Sequence, residues 1–163
     1  VRLARGDAVL VEFATLELPP HGDRQLAEVA GAGWTPVLAH PERYRGIADR
    51  PQVVERWRSA GAVLQVNCSS LAGRYGSQAR EVAWRLLESG QAGLMASDWH
   101  ARGPIGVREA VRALRERGAG GAARLLLETN PRRLLNGGRP EPVPPVPPPA
   151  PGPWQRLVRL VGG

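Results

Sequence analysis

A repeating rhythm constrains this chain more than any other feature. A short apolar run ends in a polar residue, a stretch with helical spacing follows, and the unit recurs. The first run, Ala8 to Val11, ends in Glu12-Phe13, and residues 23–32 follow with Leu26, Val29 and Ala30 at helical spacing. The second, Thr35 to Ala39, ends at His40; Val53, Val54 and Trp57 mark a helix over 52–60. The third, Ala62 to Val66, ends at Asn67; Ala79, Val82, Ala83, Leu86 and Leu87 then form one apolar stripe that Gly90 stops. The fourth, Gly93 to Ser97, ends in Asp98-Trp99-His100; Val107, Ala110, Val111 and Leu114 mark the next helix, ending near Gly118. Asn130-Pro131 reads as an N-cap with proline at the first helical position, opening a short helix over 132–135.

Alternating strands and helices predict an α/β protein with a parallel sheet. Near-continuous apolar runs suit strands buried on both faces. Both a doubly wound sheet and a barrel accommodate the pattern. Polar residues distinguish the two: Glu12, His40, Asn67, Asp98 and His100 all fall at the C-terminal ends of their runs, the face on which barrel enzymes gather their chemistry.

The ends of the chain differ from this core. It opens on Val1 without a methionine, seven residues before a buried run, and this predicts an N-terminally truncated domain. Residues 139–153 hold nine of the 16 prolines, which predicts an extended, unpacked and disordered tail. Beyond it, residues 154–161 form a short basic amphipathic piece, suited at most to weak contact with a membrane surface or a partner. The expected folded domain is residues 1–137, with the proline-rich tail over 138–163.

Composition excludes several classes. No apolar run approaches the roughly 20 residues of a membrane-spanning helix. A single cysteine, Cys68, excludes an internal disulfide framework and a cysteine-based zinc site. The net charge of +7 suggests nucleic acid, yet all 22 basic residues are arginine and they are scattered along the chain. No nucleic-acid partner is expected.

Glu, His, Asp and His are the oxygen and nitrogen donors that zinc, manganese, iron and cobalt favour. A glutamate within an apolar run is costly to bury unless paired or metal-bound. An extended Asp98-x-His100 segment would place both side chains on one side. Each residue also has a plainer reading. Glu12 could pair with an arginine, His40 could be a hydrogen-bonded core imidazole, Asp98 could cap a helix and His100 could sit on the surface. The shared strand-end position favours a common site. Arg43 and Arg102 lie within three residues of His40 and His100, and a guanidinium fork suits phosphate oxygens. Metals with arginines suggest phosphate-ester hydrolysis.

Taken together, residues 9–13 (VLVEF), 36–44 (PVLAHPERY), 64–67 (LQVN), 70–76 (SLAGRYG), 96–100 (ASDWH) and 130–135 (NPRRLL) resemble a known family. It comprises the bacterial metal-dependent protein-tyrosine phosphatases of capsule and exopolysaccharide biosynthesis, of the CpsB/CapC type, in the PHP class. The resemblance implies a distorted β/α barrel of seven strands and a divalent metal cluster, most often manganese, with iron, cobalt or zinc as alternatives. It implies Glu12, His40, Asp98 and His100 as metal ligands, Arg43 as a phosphate contact and Arg102 as its assistant, with no metal assigned to Asn67. It further implies a cytoplasmic enzyme whose substrate is the phosphotyrosine tail of a bacterial tyrosine kinase.

The family opens on a His-x-His pair that does not occur in this chain, and His21 lies in no motif. Four of seven strands cannot close a barrel, so the chain as written is expected to be inactive and to bind metal poorly. Two other functions fit less well. A relative acting on a small ester such as histidinol phosphate lacks support from the wording of the motifs. A non-catalytic interaction module using the proline tail would not explain the retained ligand-type residues.

Overall fold

The computed structural model describes residues 3, 6–100 and 105–150. Four parallel strands form one sheet in the order β1-β2-β3-β4: Ala8–Val11, Thr35–Ala39, Val63–Asn67 and Ala92–Ala96. Sequential order contains no switch point, so the described sheet is not doubly wound. Helices α1 (Gly22–Gly31), α2 (Pro51–Ser59), α4 (Ser77–Glu88) and α5 (Val107–Glu116) occupy the predicted places. A 3-10 turn, Pro41–Arg43, and a single-turn helix α3, Cys68–Leu71, directly follow β2 and β3.

Strand alternation explains the packing. Leu38, Leu64, Val66 and Met95 face the helices and join Leu26, Trp57, Leu86 and Leu114 in the main core. Val37, Leu94 and Ala8 point the other way and pack with Leu134, Leu10 and Val63. The helix face thus carries the main core, and the opposite face a smaller cluster in which Leu10 and Val63 are only partly buried.

The β3–β4 register shifts by one at Leu64/Gln65, and Gly93 is the residue skipped. A Cβ there would stand 2.7 Å from the Val63 side chain, so the bulge needs glycine. Asn130 donates to the Gly93 carbonyl across 3.0 Å.

Two expectations for the C-terminal region change. Asn130 is not an N-cap. Residues 120–135 run on through α6 (Gly120–Arg124), a π-helical turn (Leu125–Thr129) and α7 (Asn130–Leu135), and Asn130 has helical dihedrals. Pro131 cannot donate the ordinary i→i−4 bond, and widening the preceding turn keeps the helix continuous. Nor is the proline-rich segment unpacked over its described part, residues 139–150. It is extended, but Val143 and Val146 are buried in the main core. An extended proline-dense chain repeats its face every third residue, which places both valines on the same side. Its polar groups are tied down as well: the Val146 amide donates to the Leu87 carbonyl (3.0 Å), and Asn130 both donates to and accepts from the Glu141 backbone (2.9 and 2.8 Å). Residues 151–163, including the amphipathic piece, lie outside the described residues.

Among the described residues no helix is long and apolar enough to cross a membrane.

Candidate functional site

The polar residues at the strand ends converge because the strands are parallel. Phe13 fixes the first of them. Its amide donates to the Tyr44 hydroxyl across 3.0 Å, and its ring meets the Tyr44 ring edge-on, which in turn packs against buried Trp57. The preceding residue, Glu12, is thereby held over the end of β2, where Oε1 lies 3.0 Å from His40 Nε2. Its carboxylate is about half exposed, at 56%. The expectation of a buried charge inside an apolar run fails here, because Glu12 sits just past β1, which pairs only with β2 among the described strands.

His40 is buried, and its amide bonds the Gln65 carbonyl. Its φ is +34°, in the left-handed region. Pro41 already disfavours the right-handed helical conformation for the residue before it. Asp98, past β4, has φ +49°. These are the only non-glycine residues with positive φ among the described residues, and both are candidate ligands. Such backbone costs roughly 1–3 kcal/mol per residue and collects at functional sites. The left-handed turn at Asp98 replaces the extended segment expected for Asp98-x-His100.

Asp98 Oδ2 is the hub of the site. It accepts from Arg43 (3.1 Å) and from Asn67 Nδ2 (3.3 Å), and stands 3.9 Å from His40 Nε2. Asn67 caps α3 through Oδ1, accepting from the Ser69 amide, so its amide nitrogen is left to face Asp98. His100 is 83% exposed; its Nδ1 lies 2.9 Å from the Asp98 carbonyl oxygen and 3.7 Å from Oδ1. The structure thus brings together Glu12, His40, Arg43, Asn67 and Asp98, and holds His100 at the rim. Arg102 lies outside the described residues.

Burial lowers the His40 pKa, and the Arg43 charge adds to this against the opposing pull of Glu12 and Asp98. A neutral imidazole is the form that binds a metal. Its Nδ1 is buried without a hydrogen-bond partner among the described residues, and Nε2 faces the two carboxylates. Donors that share one ion at about 2.1 Å stand roughly 3–3.5 Å apart, so the spacing of His40 and Glu12 fits. The fit is partial: among the described residues no three imidazole, carboxylate or thiolate groups are placed closely enough to hold a metal.

Glu42 is a residue that the motif reading passed over. It is fully buried; Oε1 accepts from the Asn67 amide (2.9 Å) and the Ser70 hydroxyl (2.6 Å), while Oε2 has no hydrogen-bond partner among the described residues. Burial pushes its pKa up to about 7, against the pull of those hydrogen bonds. Nothing local in HPERY marks this glutamate as buried; only the fold, which lays the 3-10 turn against α4 and the start of α3, does so.

Cys68 begins α3 next to the site, but it is wholly buried and its thiol is pushed up to about 12. A thiolate nucleophile needs the opposite environment. Buried in this way, Cys68 is not placed as a nucleophile for this face.

Known proteins resemble this chain in sequence and fold. A solved structure from work on YwqE of Bacillus subtilis and CpsB of Streptococcus pneumoniae, described as metal-dependent tyrosine phosphatases, superposes with a TM-score of 0.76. The match covers 89% of this chain and 59% of the other, at 28% identity. CapC of Staphylococcus aureus, which carries a tyrosine-protein phosphatase name, is 31% identical over 93 residues, or 57% of this chain. The tyrosine-protein phosphatase YwqE of Bacillus subtilis is 34% identical over 92 residues. Each alignment takes in just over half of this chain and spans 36% of the relative's length. The family model described as capsular polysaccharide synthesis, CpsB/CapC, matches residues 1–136, and the chain belongs to that family.

Proposed function

We propose that this chain supplies one strand-end face of a metal-dependent protein-tyrosine phosphatase acting on a bacterial tyrosine kinase of capsule or exopolysaccharide synthesis. Its sheet is part of a β/α barrel of the PHP class, and the metal is manganese or a similar divalent ion. One observation carries the reading: His40 and Asp98 are both held in left-handed backbone, His40 Nε2 lies 3.0 Å from Glu12 and 3.9 Å from Asp98 Oδ2, and that oxygen also accepts from Arg43.

Glu12 and His40 stand at the spacing of two donors to one ion, and Asp98, with His100 at the rim, would have to move closer to join them. A divalent ion held there supplies a nucleophile from water at neutral pH and withdraws charge from the phosphoryl oxygens. The chain's own residues do the remaining work. Arg43 gives up its pairing with Asp98 and offers its guanidinium fork to the phosphate, neutralising charge that grows during transfer. Asn67 keeps Asp98 oriented through that exchange. Arg102, close in sequence, is the second candidate cation. The described donors fall short of a complete coordination shell, so residues 1–163 alone bind metal weakly and do not turn over substrate.

Manganese titration followed by electron paramagnetic resonance tests the site. The expected result is weak binding that Asp98→Ala or His40→Ala reduces at least tenfold. Equal binding by wild type and both variants would remove the metal assignment. Hydrolysis of a phosphotyrosine peptide by residues 1–163 with manganese, at the rate of a full-length relative, would remove the incompleteness.

A further inference from the structure

The SLAGRYG motif at residues 70–76 has no part in the mechanism above, yet its tyrosine sits in the site. Tyr75 lies on the loop after α3, between Gly73 (φ +78°) and Gly76 (φ +92°), and these two left-handed residues turn the loop back toward the strand ends. The Arg43 guanidinium lies over its ring, 4.3 Å from the centroid. Its hydroxyl lies 3.5 Å from Asn67 Nδ2, the atom that donates to Asp98. Arg43 in turn donates to Asp98. The contacts close a four-membered circuit, Arg43–Asp98–Asn67–Tyr75, drawn from three strand ends and one loop.

We infer that Tyr75 is a positioning residue for an aryl or inorganic phosphate at this face: its ring fixes the plane of the Arg43 guanidinium, so that the fork exchanges Asp98 for phosphate without losing its orientation. The inference rests on the phosphatase reading of Arg43. An arginine side chain has several freely rotating bonds, and its pairing with Asp98 constrains only one edge. That constraint ends when phosphate takes the place of Asp98. A ring against the guanidinium face does not compete with phosphate, because phosphate is bound in the guanidinium plane through its N–H groups. The stack therefore persists in both states and lowers the ordering cost of binding. Tyr75 itself is 41% exposed and carries none of the core, so its replacement tests orientation and not folding.

The test is a nuclear magnetic resonance titration of the metal-free chain, labelled with nitrogen-15 arginine, using inorganic phosphate and phenyl phosphate. The Arg43 side-chain resonance is assigned by its loss in Arg43→Lys. In the wild type it should carry a ring-current shift and respond to both ligands. Tyr75→Phe should keep the shift and bind within about twofold of wild type, because the face is retained. Tyr75→Leu should lose the shift and bind roughly three- to tenfold more weakly. Wild-type affinity in Tyr75→Leu overturns the inference, and so does equal weakening in Tyr75→Phe and Tyr75→Leu, which would assign the effect to the hydroxyl. Arg43→Ala separates the two levels. If it weakens phosphate binding while Tyr75→Leu does not, only the positioning role fails. If it leaves binding unchanged, the phosphate role of Arg43 fails and the inference falls with it.

Discussion

The two ends of the sheet are built on opposite terms. At the C-terminal strand ends, among the described residues, buried His40 lacks a partner for Nδ1, buried Glu42 lacks one for Oε2, and two non-glycine residues hold left-handed backbone. At the other end, residues 139–147 pass beside Gly90 with Val143 and Val146 in the core and their backbone bonded to Leu87 and Asn130. One end carries unsatisfied groups and strain; the other satisfies nearly every group it buries. The strain thus gathers at the end that carries the proposed site, and a fold that over-determines the rest tolerates such local cost.

The comparison is broken most directly at the proline segment. Val146→Asp would put a carboxylate into the main core beside Val143, and the guanidinium near this segment, Arg117, which reaches the Pro147 carbonyl, already pairs with Glu88. The expected loss is about 4 kcal/mol or more, read as the shift in the urea midpoint. A change under about 1 kcal/mol would mean that residues 139–147 do not pack in solution.

Glu42 tests the strained end by pH. Its carboxyl rises from an ordinary value of 4.5 to about 7 in the fold. The folded state therefore holds a proton that the unfolded state releases earlier. The resulting stability is fully present below about pH 4.5 and is lost as pH rises toward 7, by at most roughly 3 kcal/mol. Arg43 is the charge that opposes the shift, and Ser70 and the Asn67 amide are the hydrogen-bond partners. Glu42→Gln should flatten that part of the pH–stability curve in metal-free buffer. An unchanged slope would place the titration elsewhere.

Asn130→Ala comes next. It deletes three hydrogen bonds and leaves the Gly93 carbonyl and the Glu141 amide and carbonyl without their partner. The expected cost is about 2 kcal/mol, with faster amide exchange at Glu141.

The sequence announced some of this and concealed the rest for identifiable reasons. All four strands were legible because each is a short, mostly apolar run bounded by polar residues or glycine, and α4 was legible because its stripe spans three turns. Convergence of Glu12, His40 and Asp98 followed from the parallel alternation alone, which sends every strand end to one face. The continuous helix over 120–135 was hidden by Asn130-Pro131, a pair that ordinarily starts a helix but is here bridged by a π turn. Val143 and Val146 were hidden by composition, since proline content suggests an exposed tail and cannot report that every third residue meets a core. Glu42 and Tyr75 lay in quoted motifs, but their roles depend on contacts 25 and more residues away, or on a ring stacked across two loops.

The smallest effect on stability sharpens the comparison most. Asp98→Asn keeps the side-chain shape and suits φ +49°, because asparagine tolerates left-handed backbone better than most residues. It removes the negative charge that pairs with Arg43 and faces His40. That ion pair is partly solvated, so its loss is worth at most about 1 kcal/mol. Part of the loss is offset as the demand to hold a carboxylate between a buried imidazole and a guanidinium disappears. The expected change in the urea midpoint is therefore within about 1 kcal/mol, alongside at least a tenfold drop in manganese affinity. A residue kept for packing gives the reverse result, a large change in stability with metal binding reduced only through unfolding. If Asp98→Asn destabilises the chain as much as Asn130→Ala does, the strand-end face is a structural network and the division between the two ends fails.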